Sequence, residues 1–232
     1  MPCIFPKKVG ESLDLLNFDQ TLPQPLLGID EVGLGCIAGP IISAGVILPK
    51  DYALKRLLIK SGVRDSKKIS PERRSIAFEA IVSSGASCFT SIVCAADIDN
   101  LSLNVCVDRT YREIISKALA SQRVKTILLD GSRKPRIDYQ VKTLIGADDI
   151  SLAVAAASIV AKHHRDGFML KLCEDKEFRG YGWSRNKGYP TREHKKALAK
   201  LGPTSRHRMS TKSLKRYRTS TTTPLGSRLV DA

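Results

Sequence analysis

Residues Gly28 to Pro40 read GIDEVGLGCIAGP, with two adjacent carboxylates, Asp30 and Glu31, between apolar residues and a run of glycines. Together with their flanks, LLGIDEV and PIISAGVIL are two short, β-branched apolar stretches, and Pro40 resists helix at the start of the second. The local structure predicted here is a β-hairpin whose connection carries the glycines. Gly33, Gly35 and Ala38 also match the spacing of a dinucleotide-binding turn. Such a turn must open a helix whose N-terminus faces a pyrophosphate, whereas Gly39, Pro40 and a β-branched run follow at once. Two carboxylates would in addition repel a phosphate, so the nucleotide-cofactor alternative is set aside.

Outward from this stretch, strands alternate with helices. SPERRSIAFEAIVSS offers Ser70 as N-cap and Pro71 at the first helical position, with Ile76, Phe78, Ala80, Ile81 and Val82 behind them. SCFTSIVCA reads as a strand, and Leu101, Val105, Tyr111, Ile114, Ile115 and Leu119 recur at helical intervals between Ile98 and Ala120. VKTILLDG is a buried strand ending on Asp130 and Gly131, and YQVKTLI a further short one. ADDISLAVAAASIVAKHHRDGFMLKLCE reads as one long helix opened by Asp148 and Asp149, its small residues predicting close packing onto the sheet. TREHKKALAKL is a short helix in a carboxy-terminal part dense in Arg, Lys, Gly and Tyr. The fold class is α/β, or mixed α+β. Residues 1–25 read as an arm, 26–210 as one domain, and 211–232 as a basic, flexible tail whose last dozen residues are expected to be disordered.

With 232 residues the chain can bury one sizeable core. Its 38 Lys and Arg against 23 Asp and Glu give +15, which favours a polyanionic partner, nucleic acid before an acidic membrane. The amino-terminal residues lack the apolar core and cleavage site of a secretion signal, so a cytoplasmic protein is expected. The apolar runs IAGPIISAGVIL and ISLAVAAASIVA fall short of the ~18 residues a membrane span requires. Cysteines 3, 36, 88, 94, 106 and 173 form no C-x-x-C pair, which argues against zinc and a disulfide framework and for buried, reduced thiols.

Neighbouring strand residues point to opposite faces, so Asp30 and Glu31 serve one site only if the strand bends or ends between them. The glycines after Glu31 permit that. Asp130 and the Asp148-Asp149 pair have ordinary explanations as turn former and N-cap. Taken with Asp30 and Glu31 in a basic chain, they form a candidate carboxylate cluster. Such a cluster repels itself unless cations occupy it, and hard oxygen donors suit Mg²⁺ or Mn²⁺.

In order and spacing, GIDEVGLGCIAGP, RDSKKIS, LLDG, GADD, AAASIVAKHHRD and NKGYPTREH closely resemble the motif series of bacterial ribonuclease HII, over residues 26–210. The sister ribonuclease HIII usually carries an additional amino-terminal domain, for which the short arm leaves no room. The resemblance implies a ribonuclease-H-like fold, a mixed central sheet flanked by helices with a small carboxy-terminal helical part. It implies cleavage of RNA in RNA:DNA hybrids and on the 5′ side of ribonucleotides embedded in duplex DNA, leaving 5′-phosphate and 3′-hydroxyl ends. The family's metal-binding acids fall on Asp30, Glu31, Asp130 and Asp148, the last preferred to Asp149 by motif alignment alone. Two cations about 3.5 to 4 Å apart would orient the attacking water and stabilise the leaving oxygen. The family's ribose-reading backbone and tyrosine fall on Gly33, Leu34, Gly35 and Tyr189. Leu34 stands where arginine is usual, and neighbouring Lys or Arg is expected to compensate. Lys67, Lys162, Arg165 and Lys187 are candidates for holding the nucleic-acid backbone, Lys67 foremost because DSKK matches a family motif, with Lys68 beside it. His163 and His164 depart from the family pattern and are expected to be packing or surface variants. A monomer is expected, and whether the tail meets a replication protein stays open. The alternatives in other classes are a DNA nuclease or resolvase of the same fold and a non-catalytic hybrid-binding module.

Overall fold

Gly28 occupies the middle of the first strand because a side chain there has no room. In the computed structural model, which describes residues 15–64 and 69–220, a Cβ on Gly28 would stand 2.4 Å from the Ala153 carbonyl carbon and 2.5 Å from the Val154 nitrogen. The strand β1 (Leu26–Val32) thus meets a long helix backbone to backbone. That helix is buried continuously from Leu152 to Ala161, as its run of small residues predicts. It forms the centre of one layer.

The sheet has the order β3-β2-β1-β4-β5. β2 (Ile41–Ile47) returns antiparallel to β1 as the expected hairpin, and β3 (Ser87–Val93) pairs antiparallel to β2. β4 (Thr126–Asp130) and β5 (Lys142–Leu144) continue the other side in parallel, giving the expected mixed sheet. Among the helices, α1 (Leu15–Gln20), α2 (Tyr52–Lys60) and α3 (Pro71–Ser83) supply Leu16, Leu58 and Ile81 to the core under the long helix. Ser70 accepts a hydrogen bond from the Arg73 amide and Pro71 opens α3, as its sequence requires. Ile76 and Val82 nevertheless face solvent.

On the opposite face, the helical stretch after Ile98 is two helices, α4 (Ala95–Leu101) and α5 (Leu103–Ser121), broken where Ser102 takes φ 77°. The break rotates the face. Tyr111, Ile114 and Ile115 pack on Leu27, Ile29 and Leu129, but Leu101, Val105 and Leu119 are exposed.

A second correction concerns the long helix, α6 (Leu152–Leu172). Asp148 and Asp149 lie in a separate 3₁₀ turn (Ala147–Asp149), and Ser151 caps the helix by accepting from the Val154 amide. A serine three residues before a valine carries little sequence signal, whereas two aspartates before an apolar run look like a helix start. Beyond α6, α7 (Trp183–Asn186) and α8 (Arg192–Leu201) build a small carboxy-terminal part around Phe178, Tyr181, Trp183 and Leu198. Leu214 is fully buried with them, and Leu16 in the first core, so both segments set apart by sequence as appendages contribute side chains to the fold. The expectation of a disordered last dozen residues lies outside the described residues. So does Lys67, with Lys68.

The thiol expectation holds in part: Cys36 and Cys106 are buried, but Cys88 and Cys94 are exposed. His163 stacks on Phe78 of α3 at 3.8 Å between ring centroids, the packing role expected of it.

Asp19 in α1 is buried, and its Oδ2 accepts from the Ala153 amide at 2.9 Å. Burial raises its pKa from 3.8 to about 6, against smaller opposing effects from Ser151, Ala153 and Lys55. A folded-state pKa above the unfolded one contributes stability below pH 4, and that contribution is lost as pH rises through about 6. Asp19→Asn keeps an acceptor without the charge. Relative to wild type it is expected to be more stable by on the order of 2 kcal/mol at pH 8 and near neutral at pH 4, by urea denaturation. Equal effects at both pH values would refute this account.

Candidate active site

Asp30 lies on the α6 side of β1, four residues after Leu26 and in phase with Gly28. Glu31, next in the strand, turns to the α5 side. There the Tyr111 hydroxyl donates to its Oε2. Burial, and then Glu31 itself, push the Tyr111 hydroxyl pKa upward, so it stays a donor. The strand runs on to Val32 without ending between the two acids, so alternation separates them.

Asp130 ends β4, whose Leu129 is the partner of Ile29 in β1, and this puts the two aspartates side by side on one face. Asp130 Oδ1 accepts from the Ala147 amide at 2.8 Å, which ties β4 to the turn carrying buried Asp148. Asp149, the alternative, is exposed. Asp30 is 4% exposed. Burial raises its pKa well above 3.8, Glu31 adds to the rise, Ser158 of α6 lowers it by a hydrogen bond, and Asp130 and Asp148 raise it further. The structure thus gathers all four acids around the end of β1, within reach of one another's charge. Internal partners hold three of the carboxylates, Asp30 by the Glu31 amide at 2.7 Å, Glu31 by Tyr111 and Asp130 by the Ala147 amide, and among the described residues no three acids stand as a preformed metal cage.

The loop after β1 is built by two arginines that burial hides completely. Arg208 donates to Gly33 O at 2.6 Å, Gly39 O at 2.9 Å and Pro40 O at 2.9 Å. Arg165 donates to the same Pro40 O at 2.9 Å, to Ala38 O at 3.2 Å and to Lys187 O at 2.8 Å. Gly33 sits at φ +100°, and a Cβ there would fall 2.4 Å from Arg165 Nε. Arg165 is therefore corrected from a candidate phosphate ligand to a clamp, because its donors face backbone carbonyls away from solvent. Lys162 is also changed in role: it is paired with Asp166 at 2.7 Å and largely buried. Lys187 is half-buried, and its ammonium donates to Ser184 O.

The clamp joins the glycine loop to Tyr189. A Cβ on Gly35 would lie 4.0 Å from the Tyr189 ring, Lys162 Nζ and the Arg165 guanidinium each lie 5.7 Å from its centroid, and the ring is 36% exposed. Leu34 beside it is exposed. The glycine loop and Tyr189 thus lie side by side, with the buried Arg165 and Arg208 behind the loop.

Sequence reasoning missed what holds Tyr189. Its carbonyl faces His194 Nδ1 at 2.9 Å, so that nitrogen carries a proton. His207 Nδ1 accepts from the Thr204 amide at 3.0 Å, so the His207 proton is on Nε2, 3.2 Å from His194 Nε2. His194 Nε2 also accepts from Trp183 Nε1 at 2.9 Å. Both imidazoles are then neutral, the one lone pair of His194 Nε2 shared between the Trp183 and His207 N–H groups, and burial lowers the His207 pKa to about 4. Only the REH and RHR contexts mark these residues in the sequence, and neither points to a buried pair.

Comparison with known proteins gives the family and the fold. The model of the ribonuclease HII family matches residues 27–219. Ribonuclease HII of Zymomonas mobilis is 32% identical over 216 residues, covering 91% of this chain and 95% of the relative. That of Synechococcus sp. is 40% identical over 184 residues, 79% of each. Among solved structures, ribonuclease HII in its PCNA complex from Archaeoglobus fulgidus superposes with TM-score 0.65 at 28% identity, over 81% of this chain and 95% of that one. Ribonuclease HIII from Bst in complex with Mn²⁺ shares the fold, with TM-score 0.66 at 21% identity, over 84% and 69%. This chain belongs to the ribonuclease HII family, endoribonucleases that act on RNA:DNA hybrids.

Proposed function

We propose that the chain cuts RNA:DNA hybrids and the 5′ side of ribonucleotides embedded in duplex DNA, leaving 5′-phosphate and 3′-hydroxyl ends. The carrying observation is the gathering of Asp30, Glu31, Asp130 and Asp148 at one sheet end, beside a loop that presents Gly33, Leu34 and Gly35 next to Tyr189. The donor set fits Mg²⁺ or Mn²⁺: all four groups are hard oxygen donors, and burial together with the neighbouring carboxylates raises the Asp30 pKa, a repulsion that a bound cation would relieve. When bound, two such ions supply an activated water and compensation for charge on the phosphate and leaving oxygen. Asp30, central among the acids, is the shared ligand, with Asp130 and Asp148 on its own face and Glu31 reached from the other.

The loop's part is selection. A 2′-hydroxyl both donates and accepts, so backbone groups of Gly33 to Gly35 can read it, and the Tyr189 ring offers a face to the sugar. Lys187 and Lys67 remain the proposed backbone contacts. By this proposal the protein acts as a monomer in the cytoplasm. No helix among the described residues is long and apolar enough to cross a membrane, and the five described cysteines are free. The archaeal relative solved with PCNA supports, for this chain too, a contact with a replication protein.

The test is a duplex with a single ribonucleotide beside an all-DNA control, with and without Mg²⁺ or Mn²⁺. Metal-dependent cutting of the first alone is expected; cutting of both would indicate a DNA nuclease, and binding without cutting a hybrid-binding module. Tyr189→Ala should reduce preference for the ribose junction by about tenfold, the scale of one lost stacking contact, with a smaller loss of overall duplex affinity. Equal losses in both would assign Tyr189 to packing.

A further inference from the structure

The acids open at the carboxy-terminal ends of β1 and β4; the opposite end of the sheet is concave too. Two adjoining cavities of 470 and 220 Å³ lie there, sharing Lys125. Lys50, Lys55, Arg123 and Lys125 line the first, Lys125 and Lys142 the second, and no Asp or Glu lines either. These cations come from four places, the turn after β2, α2, the chain between α5 and β4, and the start of β5.

Single surface lysines are ordinarily solvated, and a cation after the end of α5 is favoured by that helix alone. The five here converge from four separate segments, and among the described residues none of their side chains makes a hydrogen bond or ion pair, in contrast to Lys117, Arg133 and Arg185, which pair with Glu113, Asp108 and Glu193. Asp51, next to Lys50, is engaged by the amides of Ala53 and Leu54. Asp19, whose charge Lys55 feels, is buried.

We propose that this cleft binds the sugar-phosphate backbone of a second segment of double-stranded DNA, separate from the duplex held at the acids. Excess positive charge with no carboxylate to offset it matches a backbone bearing one negative charge per ~1.7 Å. The apolar lining of the larger cavity amounts to Leu48, Pro25 and the stems of the basic residues, too little for the apolar core of a protein interface. The cleft lies at the amino-terminal ends of β1 and β4 and the acids at their carboxy-terminal ends, about 13 Å apart along the strand from Leu26 to Asp30, and on this placement the two sites are assigned to different duplexes. Holding a second segment would keep the enzyme on DNA between cleavage events.

The experiment uses the full chain in EDTA, which removes catalysis from the readout. One all-DNA duplex is fixed to beads and a second, fluorescent all-DNA duplex is free; wild type should bridge them at low salt. The variant K50E/R123E/K125E should lose bridging by at least about tenfold while cutting a short ribonucleotide-containing duplex within about twofold of wild type. Unchanged bridging overturns the proposal. So does a parallel fall in bridging and cleavage, which would place the cations on the cleaved duplex, or displacement by polyglutamate at lower charge concentration than by competitor DNA, which would indicate an acidic protein partner. Should the triple glutamate variant melt early, K50Q/R123Q/K125Q, neutral in place of reversed, is judged by the same outcomes. Because bridging is read without metal, the result is independent of how the acids work.

Discussion

Asp30→Asn should reduce cleavage by at least about a hundredfold, the scale on which removal of one electrostatic stabiliser acts, while leaving hybrid binding at low salt nearly intact. Asparagine has the same shape and retains an oxygen for the Glu31 amide, now 2.7 Å from Asp30 Oδ1. What it removes is the charge at the centre of the four acids. The basic surface that attracts the hybrid is untouched. The same substitution should abolish the rise in melting temperature that Mn²⁺ gives the wild type, a readout that does not need activity. Turnover within tenfold of wild type, or an undiminished Mn²⁺ shift, would remove Asp30 from the site.

Arg208→Leu is expected to act through shape. It withdraws the donor from Gly39 O, leaves Gly33 O to the Cys36 amide at 3.3 Å and leaves Pro40 O to Arg165 alone. An unsatisfied buried carbonyl costs about 1–3 kcal/mol, a fall in melting temperature of roughly 2–12 °C for a chain of this size. Discrimination between ribose and deoxyribose should fall more than cleavage of a long hybrid, because the loop loses its form while the acids stay. Burial brings the Arg208 pKa down to about 10, so the guanidinium is still charged at neutral pH, and Arg208→Lys, which keeps the charge with a single point of donation, should rescue only partly. Full rescue by lysine would mean that charge, not the fork of donors, matters.

Much of this candidate site was legible because two of its acids stand in or at the end of apolar strands. Asp130 closes an apolar run and Asp30 interrupts one, and strand period places both without knowledge of the fold. The hairpin and α3 were legible for the same reason, since glycine, proline and a capping serine act locally. What escaped notice depends on distance in sequence. Nothing near Arg165 says that its guanidinium reaches Ala38 and Pro40, and the alternating faces of Asp30 and Glu31 become consequential only once Tyr111 is known to wait on the far side. The misread start of α6 is a different failure. There two residues with real capping propensity lie upstream of the serine that caps, and the tertiary bond from Ala147 to Asp130 decides which turn they join.

The Arg208 contact to Gly33 spans 175 residues. A chain emerging from the ribosome at roughly 5–20 residues per second has made its first acids and glycines about 9 to 35 s before the arginine that shapes the loop exists. Through that interval Asp30, Glu31 and later Asp130 and Asp148 are already translated, yet the loop proposed to tell ribose from deoxyribose has no form. Under the proposed roles, discrimination is thus acquired after the acids, and a chain cut short before Arg208 would carry the candidate metal-binding acids without the loop proposed to choose the target.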